Sequence, residues 1–285
     1  MQTIVITGAT GQLGSELRDI LAADPTKTCF FLDRKQLPLE QTMIIQDILG
    51  MYQPDMIIHA GAYTAVDRAE KEAALADAIN HLASEEIAQY CRLQGCKLIA
   101  ISTDYVFDGS VPEPLTEEAP VSPINTYGLT KLRGEQAIQK WCPEAIIIRT
   151  SWVYSTYGNN FVKTMLRLME ERDEIAVVAD QQGVPTYAAD LAEAIVAIID
   201  SKQWIPGLYH YANAGQTTWY DFAVAIRDSR QLDCLIKPIS TEAYPTPAKR
   251  PAYSLLDSSK IKAIYDVEIP EWQKSLARML RISIK

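Results

Sequence analysis

The segment Thr3-Ile-Val-Ile-Thr-Gly8-Ala-Thr-Gly11-Gln-Leu-Gly14 carries the strongest structural signal in this sequence. Its first five residues are all β-branched and predict a buried strand, and apolar spacing predicts a helix from Gln12 to Ala23. Glycines at this spacing allow a tight turn and a close approach of a pyrophosphate to the backbone, and the helix N-terminus presents free N–H groups. Chance would produce the pattern about 0.03 times per chain. The segment therefore predicts a dinucleotide-binding turn.

Short apolar runs and helix-like stretches alternate over residues 1–150. The further strands are predicted at Thr28–Leu32, Met56–His59, Lys97–Ser102 and Ala145–Arg149, and the further helices at Glu70–Gln94 and Asn125–Lys140. Continuously apolar strands separated by helices are typical of a parallel sheet that is covered on both faces. The fold class is thus predicted to be α/β, with a doubly wound, Rossmann-type parallel sheet and ligands at the carboxyl ends of its strands.

The alternation loosens in residues 151–285. One strand at Ile175–Val178, one helix at Ala188–Asp200 and a tail with several prolines around residues 239–247 are predicted. We expect residues 1–150 to form the dinucleotide-binding domain. Residues 151–285 are expected to form mainly a smaller, substrate-binding lobe, from which later segments can return to the first domain.

Composition restricts the class of protein. The net charge of −9 disfavours a nucleic-acid partner, because phosphate binding requires clustered Lys and Arg. The five cysteines form no C-x-x-C pair and no zinc-like spacing with the three histidines, so reduced thiols and no metal site are expected. The chain enters strand-like sequence at Thr3 and has no apolar run of membrane-spanning length, which predicts a cytoplasmic protein without a membrane partner.

Two charged residues follow the second predicted strand, where a dinucleotide would place its adenosine ribose. Asp33 can accept hydrogen bonds from ribose hydroxyls, which favours NADH, whereas Arg34 can meet a 2′-phosphate, which favours NADPH. A solvent-exposed cap of the strand is the structural alternative. The sequence leaves the choice between NADPH and NADH open.

Tyr127 and Lys131 lie one turn apart on one face of the predicted helix 125–140. Such a pair occurs by chance about 0.7 times per chain and is weak evidence alone. The cation is expected to lower the pKa of the phenol, which would make Tyr127 a proton donor and acceptor. Thr103 lies at the carboxyl end of the fourth predicted strand, where ligand-facing groups are expected.

Several longer stretches join these motifs in a pattern that resembles the extended short-chain dehydrogenase/reductase superfamily and, within it, the dTDP-4-dehydrorhamnose reductase family. They are Ala62–Asp67, Ser102–Phe107, Arg149–Tyr154, Gly158–Met165, Asp180–Thr186 and Gly207–His210. The resemblance extends from Thr3 to about Trp272. It implies reduction of the C4 keto group of dTDP-4-dehydro-β-L-rhamnose by NADPH or NADH, a step in the synthesis of dTDP-rhamnose for cell-wall polysaccharide.

The resemblance also implies roles for individual residues. Tyr127 would donate the proton, Lys131 would hold the nicotinamide ribose, Thr103 would bind the reacting carbonyl, and Asp104 and Trp152 would line the sugar-nucleotide pocket. The cofactor would lie along Gly8, Thr10, Gly11, Gln12, Leu13 and Gly14 at the first strand and along Gly61, Ala62 and Tyr63 at the third. For Trp152 and Tyr63, packing in the core is the structural alternative to ligand binding.

The chain departs from the family pattern at two places. Leu37-Pro-Leu-Glu40 stands where many relatives have Asp and an aliphatic residue near the adenine, and Ala60-Gly61-Ala62 replaces an Ala-Ala pair. Related dehydratases carry an Asp-Glu pair after the Thr, whereas Asp104-Tyr105 here favours a simple reductase. The open alternatives are another nucleotide-sugar reductase or epimerase, and a non-catalytic NADP-binding regulatory subunit like that of methionine adenosyltransferase. A homodimer is compatible with each of them.

Overall fold

The computed structural model describes residues 2–282. Its strands are β1 (Gln2–Thr7), β2 (Lys27–Leu32), β3 (Met56–His59), β4 (Lys97–Thr103), β5 (Ile146–Thr150), β6 (Val153–Tyr154), β7 (Glu174–Val178), β8 (Gln182–Gly183), β9 (Thr186–Tyr187), β10 (Gly207–His210), β11 (Thr217–Thr218) and β12 (Leu235–Ile239). Its helices are α1 (Gln12–Leu21), α2 (Ile45–Tyr52), α3 (Val66–Ala69), α4 (Ala73–Asp77), α5 (Ala83–Gln94), α6 (Thr126–Trp141), α7 (Phe161–Glu171), α8 (Ala188–Asp200), α9 (Trp219–Arg230), α10 (Ser259–Tyr265) and α11 (Trp272–Ile282).

Six parallel strands form the central sheet in the order β10-β5-β4-β3-β1-β2. Because β2 lies on one side of β1 and β3 on the other, the winding direction reverses between β1 and β3. Thr7 and His59 pair at the carboxyl ends of these two strands. Doubly wound sheets bind their ligands in the crevice that opens at such a reversal.

The side chains of β1 alternate between two apolar cores, one on each face of the sheet. Val5 points to the core that α2, α5 and α6 cover, and Ile4 and Ile6 point to the core that α1, α8 and α10 cover. All three side chains are fully buried. Burial on both faces explains why the strand reads as a continuous apolar run and not as an alternating one.

A second, smaller group of elements follows Thr150. Three two-stranded sheets (β7 with β12, β6 with β9, β8 with β11) surround a core that α7, α9 and α11 also cover. Other parts of the same stretch join the large sheet, since β10 pairs with β5 and α8 packs on α1. The chain after Thr150 therefore contributes to both groups of elements.

The structure confirms the α/β doubly wound class, and the predicted strands match β1 to β5 and β7 with ends that differ by at most one residue. The helix predicted over Glu70–Gln94 is interrupted, because α4 passes through a π-helical turn at Ala78–Leu82 before α5 begins. Helices α2, α3, α7, α9, α10 and α11 were not predicted. A helical spacing of buried residues was present in α7, at Val162, Met165 and Met169.

Candidate active site

The glycine turn after β1 is made of closely packed backbone. Gly8 has φ +70°, and its carbonyl accepts a hydrogen bond from the N–H of Gly11 at 2.9 Å. A Cβ on Gly14 would lie 2.3 Å from the Gly8 oxygen, and a Cβ on Gly8 would lie 2.7 Å from the Gly61 backbone after β3. A side chain at either position would collide with this backbone, so the glycines keep the turn compact at the start of α1, whose free N–H groups can bind a pyrophosphate. The residues present thus fit a dinucleotide.

Gly61 also links the two departures from the family pattern. A Cβ at this position would lie 2.8 Å from Cδ1 of Leu39, which is buried. The side chain of Leu39, in the segment that differs near the adenine position, therefore occupies the space that an alanine would use. The smaller residue at position 61 therefore makes room for the leucine at position 39.

The other residues of the predicted cofactor turn differ in how far they are exposed to solvent. Thr10 and Gly11 are exposed at the start of α1, whereas Leu13 is buried. The amide of Gln12 donates to the carbonyl of Val153 at 3.3 Å and accepts from Nδ2 of Asn160 at 3.1 Å. Gln12 thereby connects the turn to the chain beyond β5, while its backbone lies at the helix N-terminus.

A buried histidine holds the ends of β1 and β3 together. The hydroxyl of Thr7 accepts a hydrogen bond from the N–H of Gly61 at 3.0 Å and contacts Nδ1 of His59 at 2.8 Å. His59 Nε2 lies 3.2 Å from the hydroxyl of Ser84, which itself donates to the carbonyl of Asn80. This chain of donors requires the tautomer with hydrogen on Nε2. Burial lowers the pKa of His59 to about 3, so the ring is neutral.

The π-helical turn places Asn80 between the loop after β3 and the helix α6. Its Oδ1 accepts from the N–H of Tyr63 at 2.8 Å, and its Nδ2 donates to the hydroxyl of Thr130 at 3.1 Å. Tyr63 is 7% exposed and packs in the core, so only its backbone follows the predicted cofactor path. Ala62 beside it is partly exposed.

Tyr127 lies in the first turn of α6, and Thr103 is the last residue of β4. The side chain of Asn125 caps α6 by accepting from the N–H of Gly128 at 2.7 Å. The phenol of Tyr127 lies beside the hydroxyl of Thr103, which acts to lower the pKa of the phenol, and this places Tyr127 at the carboxyl edge of the sheet. The structure thus brings these two predicted catalytic residues into contact.

The expectation that the pKa of Tyr127 is lowered was wrong. Burial raises the pKa of the phenol to about 12, although the nearby hydroxyl of Thr103 acts in the opposite direction. The ammonium of Lys131 donates to the carbonyl of Ile101 at 2.7 Å and so is engaged away from the phenol. Desolvation therefore outweighs the expected effect of the cation, and Tyr127 is protonated at neutral pH.

Lys131 is itself almost completely buried. Burial lowers the pKa of its ammonium to about 8, and the carboxylate of Glu135 partly counteracts this effect. An ammonium has three donors, so two of them stay free for further acceptors beyond the carbonyl of Ile101. Lys131 can therefore bind a ribose hydroxyl if its charge is maintained.

Asp104 is a buried acid directly after Thr103. Burial raises the pKa of its carboxyl to about 7, while the nearby hydroxyls of Ser254 and Thr103 act to lower it. The Thr103 hydroxyl lies 3.1 Å from its Oδ1, and Oδ2 has no hydrogen-bond partner among residues 2–282. The carboxyl group thus retains an unused acceptor next to Thr103, the threonine that was predicted to be catalytic.

Trp152 adopts a backbone conformation that is rare for a bulky residue. Its φ is +47°, and its ring stacks on the ring of Trp219 with centroids 3.7 Å apart. A Cβ on Gly183 would lie 2.9 Å from the Trp152 ring. Non-glycine residues with positive φ concentrate at functional sites, where the surroundings hold them in place. Trp152 is only partly buried and can present a face to a ligand.

Asp33 and Arg34 follow β2, as predicted, but both side chains are engaged. Asp33 Oδ1 accepts hydrogen bonds from the N–H groups of Lys35 at 2.8 Å and Gln36 at 3.0 Å. Arg34, whose side chain is 71% exposed, forms an ion pair with Glu40 at 2.8 Å. The segment 37–40, which departs from the family pattern, therefore supplies the carboxylate of Glu40 that pairs with Arg34.

A buried ion pair beside the end of β4 was not predicted from the sequence. Arg149 on β5 donates to Glu135 on α6 through Nε at 2.9 Å and through NH2 at 2.7 Å. Two signals could have found it. Glu135 follows Lys131 by four residues, on the same helix face, and Arg149 is a charge at the end of an apolar strand.

Within residues 2–282, no group of three His, Cys, Asp or Glu side chains is arranged to hold a metal ion. In the same part of the chain, none of the helices combines the length and apolar character needed to span a membrane.

Comparisons with known proteins agree with this geometry. The family model described as the RmlD substrate binding domain matches residues 1–284. The chain is 39% identical to dTDP-4-dehydrorhamnose reductase of Escherichia coli strain K12 and 38% identical to that of Salmonella typhimurium strain LT2, in each case over 97% of this chain and 96% of the relative. A crystal structure of dTDP-4-dehydrorhamnose reductase from Bacillus anthracis strain Ames in complex with NADP has a TM-score of 0.94 and 40% identity, covering 99% of both chains. The chain therefore belongs to the dTDP-4-dehydrorhamnose reductase family.

Proposed function

We propose that this protein reduces the C4 keto group of dTDP-4-dehydro-β-L-rhamnose to give dTDP-β-L-rhamnose. The observation that carries the proposal is the contact of Tyr127 with Thr103 at the carboxyl edge of the sheet, on a helix that also bears Lys131. This group lies at the end of β4, next to the strand that supplies the other half of the glycine cradle. Family membership gives the substrate class.

Tyr127, Thr103 and Lys131 are proposed to have separate roles in the reduction. The nicotinamide cofactor, when bound, supplies the hydride that forms the new C–H bond at C4. The carbonyl oxygen then takes the proton of the Tyr127 hydroxyl, and the hydroxyl of Thr103 orients that oxygen by a hydrogen bond. Since the pKa of Tyr127 is about 12, the phenol carries its proton throughout the neutral range. Lys131 would hold the nicotinamide ribose with its free donors.

Both NADPH and NADH are proposed as cofactors. The solved relative from Bacillus anthracis contains NADP, and Arg34 at the end of β2 is a suitable partner for a 2′-phosphate. Its exposed side chain can exchange Glu40 for the phosphate at little cost, because exposed ion pairs are weak. Asp33 next to it can bind ribose hydroxyls of NADH. Gly8, Gly11 and Gly14 would form the pyrophosphate site.

The sugar nucleotide is proposed to lie between the sheet edge and the second group of elements. Asp104 and Trp152 would line this pocket, with the free carboxyl oxygen of Asp104 as an acceptor for a sugar hydroxyl. Residues 151–285 would thus be mainly the substrate-binding lobe, and residues 1–150 the cofactor domain. A homodimer and a cytoplasmic location stay predictions, which sedimentation and cell fractionation test.

The direct experiment is incubation of the purified protein with dTDP-4-dehydrorhamnose and NADPH. Loss of NADPH absorbance with formation of dTDP-rhamnose, identified by NMR, is the expected result. Formation of a C4 epimer or of another sugar would indicate a different nucleotide-sugar enzyme. No turnover with any related nucleotide sugar, together with intact NADPH binding, would contradict the proposal and favour a regulatory subunit.

A further inference from the structure

A pair of opposite charges is completely enclosed between the catalytic helix and the sheet. Glu135 and Arg149 are each 3% exposed, and both carboxylate oxygens receive a hydrogen bond from the guanidinium. The guanidinium also lies over the ring of Phe107, 5.1 Å from its centroid. Removing two charges from water is expensive, and such pairs are often less stabilising than apolar residues of similar volume. Stability alone is therefore a poor explanation for this pair.

The carboxylate also reaches the end of β4. The hydroxyl of Ser102 donates a short hydrogen bond to Oε1 of Glu135, and Ser102 is paired in register with Arg149 across the sheet. Thr103 is the next residue and the last of the strand. Glu135 thus fixes the strand end that carries Thr103 against α6, the helix that carries Tyr127.

The same carboxylate lies near Lys131. The two residues are one helical turn apart, and they line a common cavity of about 10 Å³ together with Ser102, His59 and Asn80. In this enclosed space charges interact more strongly than in water. The titratable groups that line this cavity with Lys131 are His59 from β3, which is neutral, and Glu135 from its own helix, which is tied to Arg149 on β5. Glu135 is the anion of this set.

We propose that Glu135 is a positioning residue of the reductase: its carboxylate stabilises the charged form of Lys131 and fixes Thr103 against the catalytic helix. This inference rests on the function proposed above, since it gives a purpose to the charge on Lys131. Arg149 holds Glu135 in one orientation by donating to both of its oxygens. Glu135 acts through Lys131 and Thr103 and does not touch the substrate itself.

The pH profile of kcat distinguishes this role from a purely structural one. In Glu135→Gln the anion is lost and the shape is kept, so Lys131 should lose its proton at lower pH. We expect the alkaline limb of the profile to move to lower pH by about one unit. The value of kcat should fall, while the KM for the sugar nucleotide should change less. The control is Asp77→Asn, which removes a carboxylate that pairs with Arg133 on the exposed side of α6. Its profile should match the wild type.

A double variant separates stability from positioning, because Glu135→Gln leaves Arg149 unpaired and can weaken the fold. Glu135→Leu with Arg149→Met removes both charges and replaces them with apolar groups of similar volume, which buried pairs often tolerate. We expect this protein to be folded, by thermal unfolding, and to retain the shifted alkaline limb. A folded double variant with the wild-type limb would overturn the proposal.

The charge on Lys131 can also be measured without turnover. In protein labelled with ¹³C-lysine, the side-chain resonance that disappears in Lys131→Met identifies Lys131, and its pH titration gives the pKa. Glu135→Gln should lower this pKa by about one unit. An unchanged pKa in the folded variant overturns the inference whether or not the wild type is active. A wild type without reductase activity contradicts only the proposed function.

Discussion

The proposed cofactor half and the proposed substrate half of the site are built in opposite ways. The cofactor half is backbone: Gly8, Gly14 and Gly61 approach so closely that a single Cβ would collide with a neighbouring main chain or side chain. The substrate half is side chain: Trp152 stacks on Trp219 and packs against Gly183. One half depends on the absence of side chains and the other on the placement of large ones. Each half should therefore fail in its own way when it is altered.

Tyr127→Phe should have the largest effect, because it removes the chemistry and leaves both halves in place. Loss of a positioned proton donor typically reduces kcat by about 10²–10⁴-fold. The ring of Phe retains the edge-to-face contact with Tyr105, whose centroid is 5.7 Å away. Titration with NADPH should give a nearly unchanged Kd. Lys131→Met is the contrasting variant, since it should lower both the rate and the cofactor affinity.

A Tyr127→Phe protein that reduces the sugar at a rate close to the wild type would disprove the assignment of the proton donor. Thermal unfolding in the presence and absence of NADPH checks that the variant is folded and binds cofactor.

Gly14→Ala should damage the cofactor half selectively. The new Cβ would meet the Gly8 carbonyl at 2.3 Å and Ala9 Cα at 2.9 Å, so the turn must move. Overpacking of this kind costs about 1–3 kcal/mol, and the displaced turn should no longer bind NADPH with measurable affinity. Isothermal titration and thermal unfolding measure the two effects.

Gly50→Ala is the matched control for that substitution. Gly50 lies within α2 and a Cβ there meets nothing within 4 Å. Alanine in a helix interior is favoured over glycine, so the control should gain about 0.5–1 kcal/mol of stability and bind NADPH normally. Unchanged cofactor affinity in Gly14→Ala would show that the turn does not bind the pyrophosphate.

The same contrast explains which half was predictable. A backbone turn needs glycines at fixed spacing, and a strand buried on both faces needs a continuous apolar run, so both leave a local pattern in the sequence. Met56–His59 was predicted with the bounds that β3 has in the structure. Trp152, Gly183 and Trp219 come from three separate segments, and no local pattern connects them. Their assembly depends on tertiary packing.

The electrostatics of the site were the least predictable part. The spacing of Tyr127 and Lys131 correctly placed both on one helix, yet the pKa of Tyr127 is raised and not lowered. Desolvation and the direction of the ammonium decide that sign, and both depend on residues far away in the sequence. Arg149 and Glu135 each left a signal in the sequence, but no local pattern pairs a residue of β5 with one of α6.

Trp152→Ala should weaken the substrate half and spare the cofactor half. We expect the KM for the sugar nucleotide to rise by about ten- to a hundredfold, as for an aromatic residue that carries much of a binding site, with an unchanged Kd for NADPH. Trp204→Ala removes a tryptophan that donates to the carbonyl of Glu144 away from the site, and it should leave the KM unchanged. A parallel loss of NADPH affinity in Trp152→Ala would identify Trp152 as a core residue.

Trp152→Gly sharpens this test. Both variants lack the ring, but glycine accepts the φ of +47° without the strain that any side chain has in this region. The left-handed conformation costs a non-glycine residue about 1–2 kcal/mol. We therefore expect Trp152→Gly to be more stable than Trp152→Ala in chemical denaturation, with the same KM defect.

The smallest effects are expected at the outer edge of the cofactor half, where side chains and not the backbone would determine the preference for NADH or NADPH. Asp33→Ala removes a ribose acceptor and a charge that repels a 2′-phosphate, so the KM for NADH should rise while that for NADPH stays the same or falls. Glu40→Gln frees Arg34 from its partner and should favour NADPH. Each change should be less than about tenfold, because exposed charge pairs contribute about 0–1 kcal/mol. Equal effects of Asp33→Ala on the two cofactors would show that this carboxylate serves only the turn to Lys35 and Gln36.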